Sequence, residues 1–287
     1  METVFQTAWQ PITPRGVGRF AHASAMRLLA VQLVFALLAA AAVTWCVRRA
    51  WFPVVEEAVQ KLPDSGEVRS GRLGWVGPSP HRLAEGRFLA LVVDLNHSGD
   101  LRGAAHISIE LGATSVRVFS LLGYVDLPYP TSGVVALNRS ETLPWWGAWS
   151  PAILAGLFMG TVVALMVSWA GLALVYSAPA WLLGFFTNRA VDLRGAWRLC
   201  GAAQMPGALC MAVAVASYGL GLFDPVRLLV AFAAHLAVSW FYVVVSPLTL
   251  PSASIMGSAN PFASGGGENA APARTQQNEN PFHPGQC

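Results

Sequence analysis

Apolar positions in this chain come in four long blocks that charged residues avoid. Residues 28–47, 142–188, 199–223 and 228–267 contain no Asp, Glu, Lys or Arg. A charged side chain at mid-bilayer costs about 2.5–3.5 kcal/mol on insertion scales, so such blocks are expected to be membrane spans. Between the first and second blocks lies a polar island, 48–150, whose pattern differs. After Trp51, the positions Val54, Val55, Ala58, Val59 and Leu62 share one helical face, with Glu56, Glu57, Gln60 and Lys61 elsewhere. The period then falls to two. Segments 88–95, 107–111, 116–122 and 134–137 read as strands, and 67–75 as an earlier hairpin. The pattern therefore predicts a membrane all-α helical bundle of about four transmembrane helices, with an inserted α+β domain.

The first block, 20 residues long, measures about 30 Å as a helix, one hydrocarbon thickness. It is longer than the apolar core of a secretory signal peptide and ends in Trp45-Cys46 and Arg48-Arg49, which favours a retained span. The block 142–188 has room for one span or two. One span is favoured, running from about 151 to 176, with the helix broken at Pro179. The third and fourth spans are placed at 202–222 and 226–246. The bundle segment is thus 151–246, with a basic loop near 187–200.

Arginine placement sets the expected orientation. Arg15, Arg19 and Arg27 precede the first span, and Arg189, Arg194 and Arg198 follow the second. Short basic segments stay cytoplasmic. Residues 1–27 are then a loose cytoplasmic arm, 48–150 is extracytoplasmic, and 247–287 is a Pro-, Ser-, Gly- and Asn-rich cytoplasmic tail expected to be disordered.

Composition narrows the classes further. The chain has 287 residues, 54% hydrophobic and only 11% charged, against about 25% charged in soluble domains. A net charge of +3 without a basic block argues against nucleic-acid binding. Lys61 is the single lysine among 18 basic residues, a skew expected of a GC-rich, bacterial source. Cys46, Cys200, Cys210 and Cys287 all lie outside the island and form no CxxC pair.

Candidate functional residues are few. His235 is the ionisable group well inside a span, and Gln32 is the other strongly polar residue in a span; intramembrane polar groups mark candidate pathways. Gly156 and Gly160 form the small-xxx-small face most expected to pack against another helix. Trp45, Trp51, Trp145, Trp146 and Trp149 flank the island as interface anchors. His81, His97, His106, Asp94, Asp100 and Glu110 populate the island, but not at HExxH spacing, and no GxSxG occurs there. Neither a catalytic set, a metal site nor a cofactor is expected. Asn260-Pro261-Phe262 recurs as Asn280-Pro281-Phe282 in the tail, either a docking motif or a turn former.

Short motifs add a resemblance. Val55-Glu56-Glu57, Lys61-Leu62-Pro63-Asp64 and Gly71-Arg72-Leu73, with Trp197-Arg198-Leu199 and Met205-Pro206-Gly207-Ala208-Leu209, resemble a poorly characterised bacterial family of multi-pass membrane proteins. Its members have a β-rich extracytoplasmic insert and a Yip-like membrane domain. The resemblance covers roughly 28–250 and implies no catalytic residues. The expected function is a non-enzymatic interaction or envelope-maintenance role at the bacterial inner membrane, carried by the extracytoplasmic domain. The partners are the lipid bilayer and another membrane or envelope protein, with an oligomer allowed. The alternative is a transporter component with a polar path near Gln32 and His235.

Overall fold

The computed structural model describes residues 10–101 and 103–252. A short helix α1 (Pro14–Gly18) and a 3-10 turn (Arg19–His22) precede α2 (Ala25–Ala50) and α3 (Phe52–Gln60). Eight strands follow: β1 (Gly66–Arg69), β2 (Arg72–Trp75), β3 (His81–Glu85), β4 (Leu89–Val93), β5 (Ile107–Leu111), β6 (Ser115–Ser120), β7 (Gly123–Pro128) and β8 (Val134–Ala136). The chain closes with α4 (Arg139–Phe186), α5 (Leu193–Ala203), α6 (Met205–Gly219) and α7 (Pro225–Leu248). Four helical segments are long and apolar enough to cross a membrane, with a separate β-sheet region between the first two.

Helix α2 starts at Ser24, whose hydroxyl accepts from the Arg27 N–H at 3.3 Å, and ends with Arg48 and Arg49 beside its exposed carbonyls. Its buried face reads Leu28, Gln32, Ala36, Ala40, each four residues on, with both alanines fully enclosed. Small residues at this spacing let backbones approach closely.

The small-residue face expected on the second span is not used in this way. An added Cβ at Gly156 or Gly160 would meet nothing within 4 Å, and both glycines are exposed, while neighbouring Leu157 is half-buried. Within this chain the contact stripe belongs to α2. Its alanines suffice because α6 lies alongside, as the contact of Gly219 with the Trp45 ring and Cys46 shows.

Helix α4 is one continuous element of 48 residues, about 72 Å long. It is not broken at Pro179, which lies inside it. Pro removes one backbone donor; two residues earlier Ser177 donates its hydroxyl to the Leu174 carbonyl at 2.7 Å, so its own polar group is satisfied within the helix.

The expected basic loop is mostly helix. Asp192 caps α5 by accepting from the Gly195 N–H at 2.8 Å, so the third candidate span begins at Leu193 rather than 202 and ends at Gly219. Helix α5 enters the bundle because Leu199, Cys200, Ala202 and Ala203 are fully buried, while Arg198 reaches sideways to donate to the Ala21 carbonyl at 2.9 Å. The connection itself shrinks to 187–192.

The N-terminal arm, expected to be loose, is seated from Gln10 onward. Val17 and Phe20 are fully buried, and Thr13 caps α1 through Gly16. Tyr242 of α7 donates to the Ile12 carbonyl, Arg189 to the Leu250 carbonyl at 2.7 Å, and Ala190 N–H to the Pro251 carbonyl. The arm, the α4–α5 connection and the end of α7 thus form one knit face, opposite the β region. Leu250 is buried there, so ordered chain extends past 247. The expected disorder of the remaining tail and its Asn-Pro-Phe repeat lie outside the described residues.

The β region holds two sheets, ordered β2-β1-β8 and β3-β4-β5-β6-β7. All neighbours are antiparallel except β4 and β5, which run parallel with Leu89 opposite Ile107 and Val93 opposite Leu111. Helix α3 covers the larger sheet: Val54, Ala58 and Leu62 pack with Leu83, Leu89 and Val93. Strand β7 forms the far edge and is exposed along its whole length.

Candidate functional site

Three features carry chemistry, and sequence reasoning placed their residues unequally. The first joins the β region to the bundle. His106, just before β5, has its Nδ1 2.9 Å from the Tyr218 hydroxyl at the end of α6. Phe88 sets its ring edge-on to both, at 5.5 Å from His106 and 5.0 Å from Tyr218. Burial first, then the Arg87 guanidinium, hold the His106 imidazole below the ordinary histidine range, with Asp224 pulling the other way.

Beside this junction the β6–β7 turn reaches the start of α7. Leu121 and Leu122, Tyr218, Leu228 and Phe232 line a groove of about 340 Å³. Leu122 is 86% exposed, an apolar tip placed where α7 leaves Pro225.

The second feature is a cavity of about 340 Å³ among α2, α4, α6 and α7. His235 lines it, together with Gln204, Ser168, Tyr176 and Ser239. Gln32, the other residue of the expected polar path, does not line this cavity. Gln32 is buried elsewhere and donates Nε2 to the Gly201 carbonyl at 3.3 Å, where it joins α2 to α5. Gln204 takes the place expected of it. It is 4% exposed and donates Nε2 to the Trp169 carbonyl at 3.1 Å. Its signal was legible, because it falls inside an apolar block.

The third feature is a polar cluster in the β region. His97, at φ 52°, pairs through Nδ1 with Glu110, and its Nε2 stands 3.5 Å from the Ser115 hydroxyl. Serine, histidine and acid in this order resemble a nucleophile relay. The Ser115 contact is long for a hydrogen bond. The Gly112 backbone backs directly onto the imidazole, which closes the space a substrate would need. Asp94 anchors the same loop. Burial opposes its charge, but hydrogen bonds from the Ser98 hydroxyl and from N–H groups including Gly99 and Asn96 outweigh that and hold its carboxyl below the usual range. The cluster pins the 94–100 turn to β5 and β6.

Among the described residues no group of three His, Cys, Asp or Glu side chains could hold a metal ion. The five tryptophans gather at the end of α2 and the first turns of α4. Trp145 and Trp149 are exposed, Trp45 lies under Arg49 at 5.9 Å, and Trp146 packs 4.9 Å from Phe52.

No family model, curated protein or solved structure matches this chain. The Yip-type resemblance rests on its short motifs, and no residue role comes from a relative.

Proposed function

We propose that this chain is a non-enzymatic, multi-pass protein of the bacterial cell membrane whose extracytoplasmic β region binds another envelope protein. The arginine distribution supports the orientation: Arg15, Arg19 and Arg194 are exposed on or beside the knit face, and such clusters favour the cytoplasm. The observation that carries the binding role is strand β7. Its outer edge is unpaired within the sheet, and Tyr124, Val125 and Leu127 are all exposed. An exposed apolar edge is a template for strand addition; the charge on this strand, Asp126, is paired with Arg117 of β6, and Pro128 stands only at its end.

The test is complementation of a deletion strain. Val125→Lys, which places charge on the edge without touching the core, is expected to reproduce the deletion phenotype at normal protein levels, while His235→Ala retains function. Full activity of Val125→Lys, or loss of function in His235→Ala alone, would overturn the binding role. The transport alternative draws less support, since Gln32 is tied to Gly201 and does not line the His235 cavity.

A further inference from the structure

We infer that the bundle binds one uncharged, hydroxyl-bearing amphiphile, a long-chain alcohol in chemical class, that enters from the junction groove. This inference does not rest on the strand-edge reading: its readout is ligand labelling, and the complementation that tests that reading does not require the bound alcohol.

The groove and the inner cavity share two lining residues, Met211 and Phe232. Those two side chains stand on the wall common to both. Both are unbranched at Cβ and turn about staggered torsions, so this shared wall contains movable parts. Together the compartments run from the Leu121–Leu122 tip, beside the start of α7, to Gln204 deep in the bundle.

The polar atoms define the ligand. Gln204 spends Nε2 on the Trp169 carbonyl, and its Oε1 has no partner among the described residues. His235 spends Nδ1 on the Phe232 carbonyl. A carbonyl only accepts, so Nδ1 carries the proton and Nε2 is an acceptor. Two open acceptors thus meet one apolar chamber, with the Tyr176 ring on its wall. Gln204 is buried and His235 half-buried, and an acceptor facing apolar walls gains from a donor, so an occupant that supplies an O–H is selected over one that cannot.

The walls also define what is refused. No Asp, Glu, Lys or Arg lines either compartment. A carboxylate, phosphate or ammonium would lose its hydration with no countercharge. The remaining lining is aliphatic and aromatic, suited to a hydrocarbon chain, and the volume lies in the usual range for small-molecule sites.

The experiment uses the full chain in lipid nanodiscs. The probe is a 16-carbon alcohol bearing a mid-chain diazirine and a terminal alkyne, compared with its methyl ether and with the matching fatty acid. The expected result is saturable labelling of α6 and α7 peptides by the alcohol, about tenfold above the ether and the acid. Gln204→Leu and His235→Leu should each lower it about fivefold, and Ala212→Phe, which fills the chamber from α6, should abolish it. Equal labelling by all three probes, or labelling indifferent to His235→Leu, would mean a chamber holding only water or bulk lipid and would sink the inference. If Ala212→Phe does not fold, the ratio of alcohol to ether on His235→Leu decides, because that exchange adds no bulk.

Discussion

The Tyr218 hydroxyl lies 2.9 Å from His106 Nδ1, and this bond crosses from the last turn of α6 to the approach of β5. It is a polar link between the β region and the bundle, and Phe88 packs edge-on against both rings. Two side chains 112 positions apart in sequence thus tie the sheet to the end of α6.

That link predicts a response to acid. The folded His106 pKa is depressed, so below about pH 6.5, the ordinary histidine value, the unfolded chain binds more protons than the folded one. Stability then falls as the pH drops from 6.5 to the folded value, and levels off beneath it. Thermal midpoints measured between pH 7.5 and 5 should decline in the wild type and stay flatter in His106→Gln. An identical slope in both proteins would assign the response to other groups. Asp94 does not confuse this window, because its lowered carboxyl contributes stability that is lost only below its ordinary value near 3.8.

Glu110 and His97 form a nearly buried pair, with 4% and 12% of their side chains exposed. Removing one partner of such a pair costs about 3–5 kcal/mol. Glu110→Ala is expected to lower the unfolding free energy of the β region by about that much, read by denaturant titration followed through Trp fluorescence. Ser115→Ala should cost about 1 kcal/mol or less, given its 3.5 Å contact. The reverse ranking would show that Ser115, not Glu110, holds the turn.

The arm supplies a third expectation. Phe20 is fully buried, whereas Met26 is 75% exposed. Phe20→Ala should destabilise the detergent-solubilised protein by about 3–5 kcal/mol, while Met26→Ala should be neutral. Equal melting temperatures for the two variants would mean that the arm is not seated.

Glycines give the fourth. Gly160→Leu should be tolerated by the single chain, since nothing lies within 4 Å of an added Cβ. Gly207→Leu should not be, because a Cβ there would come 2.6 Å from the His235 carbonyl oxygen. Comparing monodispersity and melting of both variants tests this. Dissociation of an oligomer by Gly160→Leu, with the monomer fold intact, would place that face between copies instead.

Much of the architecture was legible because charge avoidance and period-two alternation are strong, local signals. The four apolar blocks and the strands at 89–93 and 107–111 follow from them. Strand β3 was not legible, since its register shifts between Arg82 and Ala84 and the irregularity masks alternation. Strand β7 was not either, because both its faces are exposed and no burial pattern is imposed on it. The seating of Phe20 was hidden for another reason: an isolated aromatic among Gly and Pro carries no period, and its pocket is built by distant helices. Of the polar site, His235 was visible as a lone ionisable group. Its neighbours depend on helix rotation, so the sequence placed a polar path near Gln32 and His235, whereas Gln204 is the amide that lines the cavity.

The closure of the knit face has a consequence for the order of folding. Tyr242 and Ile12 are 230 positions apart, and Arg198 and Ala21 are 177 apart. A ribosome makes the arm first and its seat last. Helix α2 can insert as soon as it emerges, but Val17 and Phe20 must wait for α5 and α7 before their side chains leave water. The earliest segment of the chain is thus among the last to settle, and a nascent protein halted before Pro225 carries an unseated arm that a protease can read as unfinished.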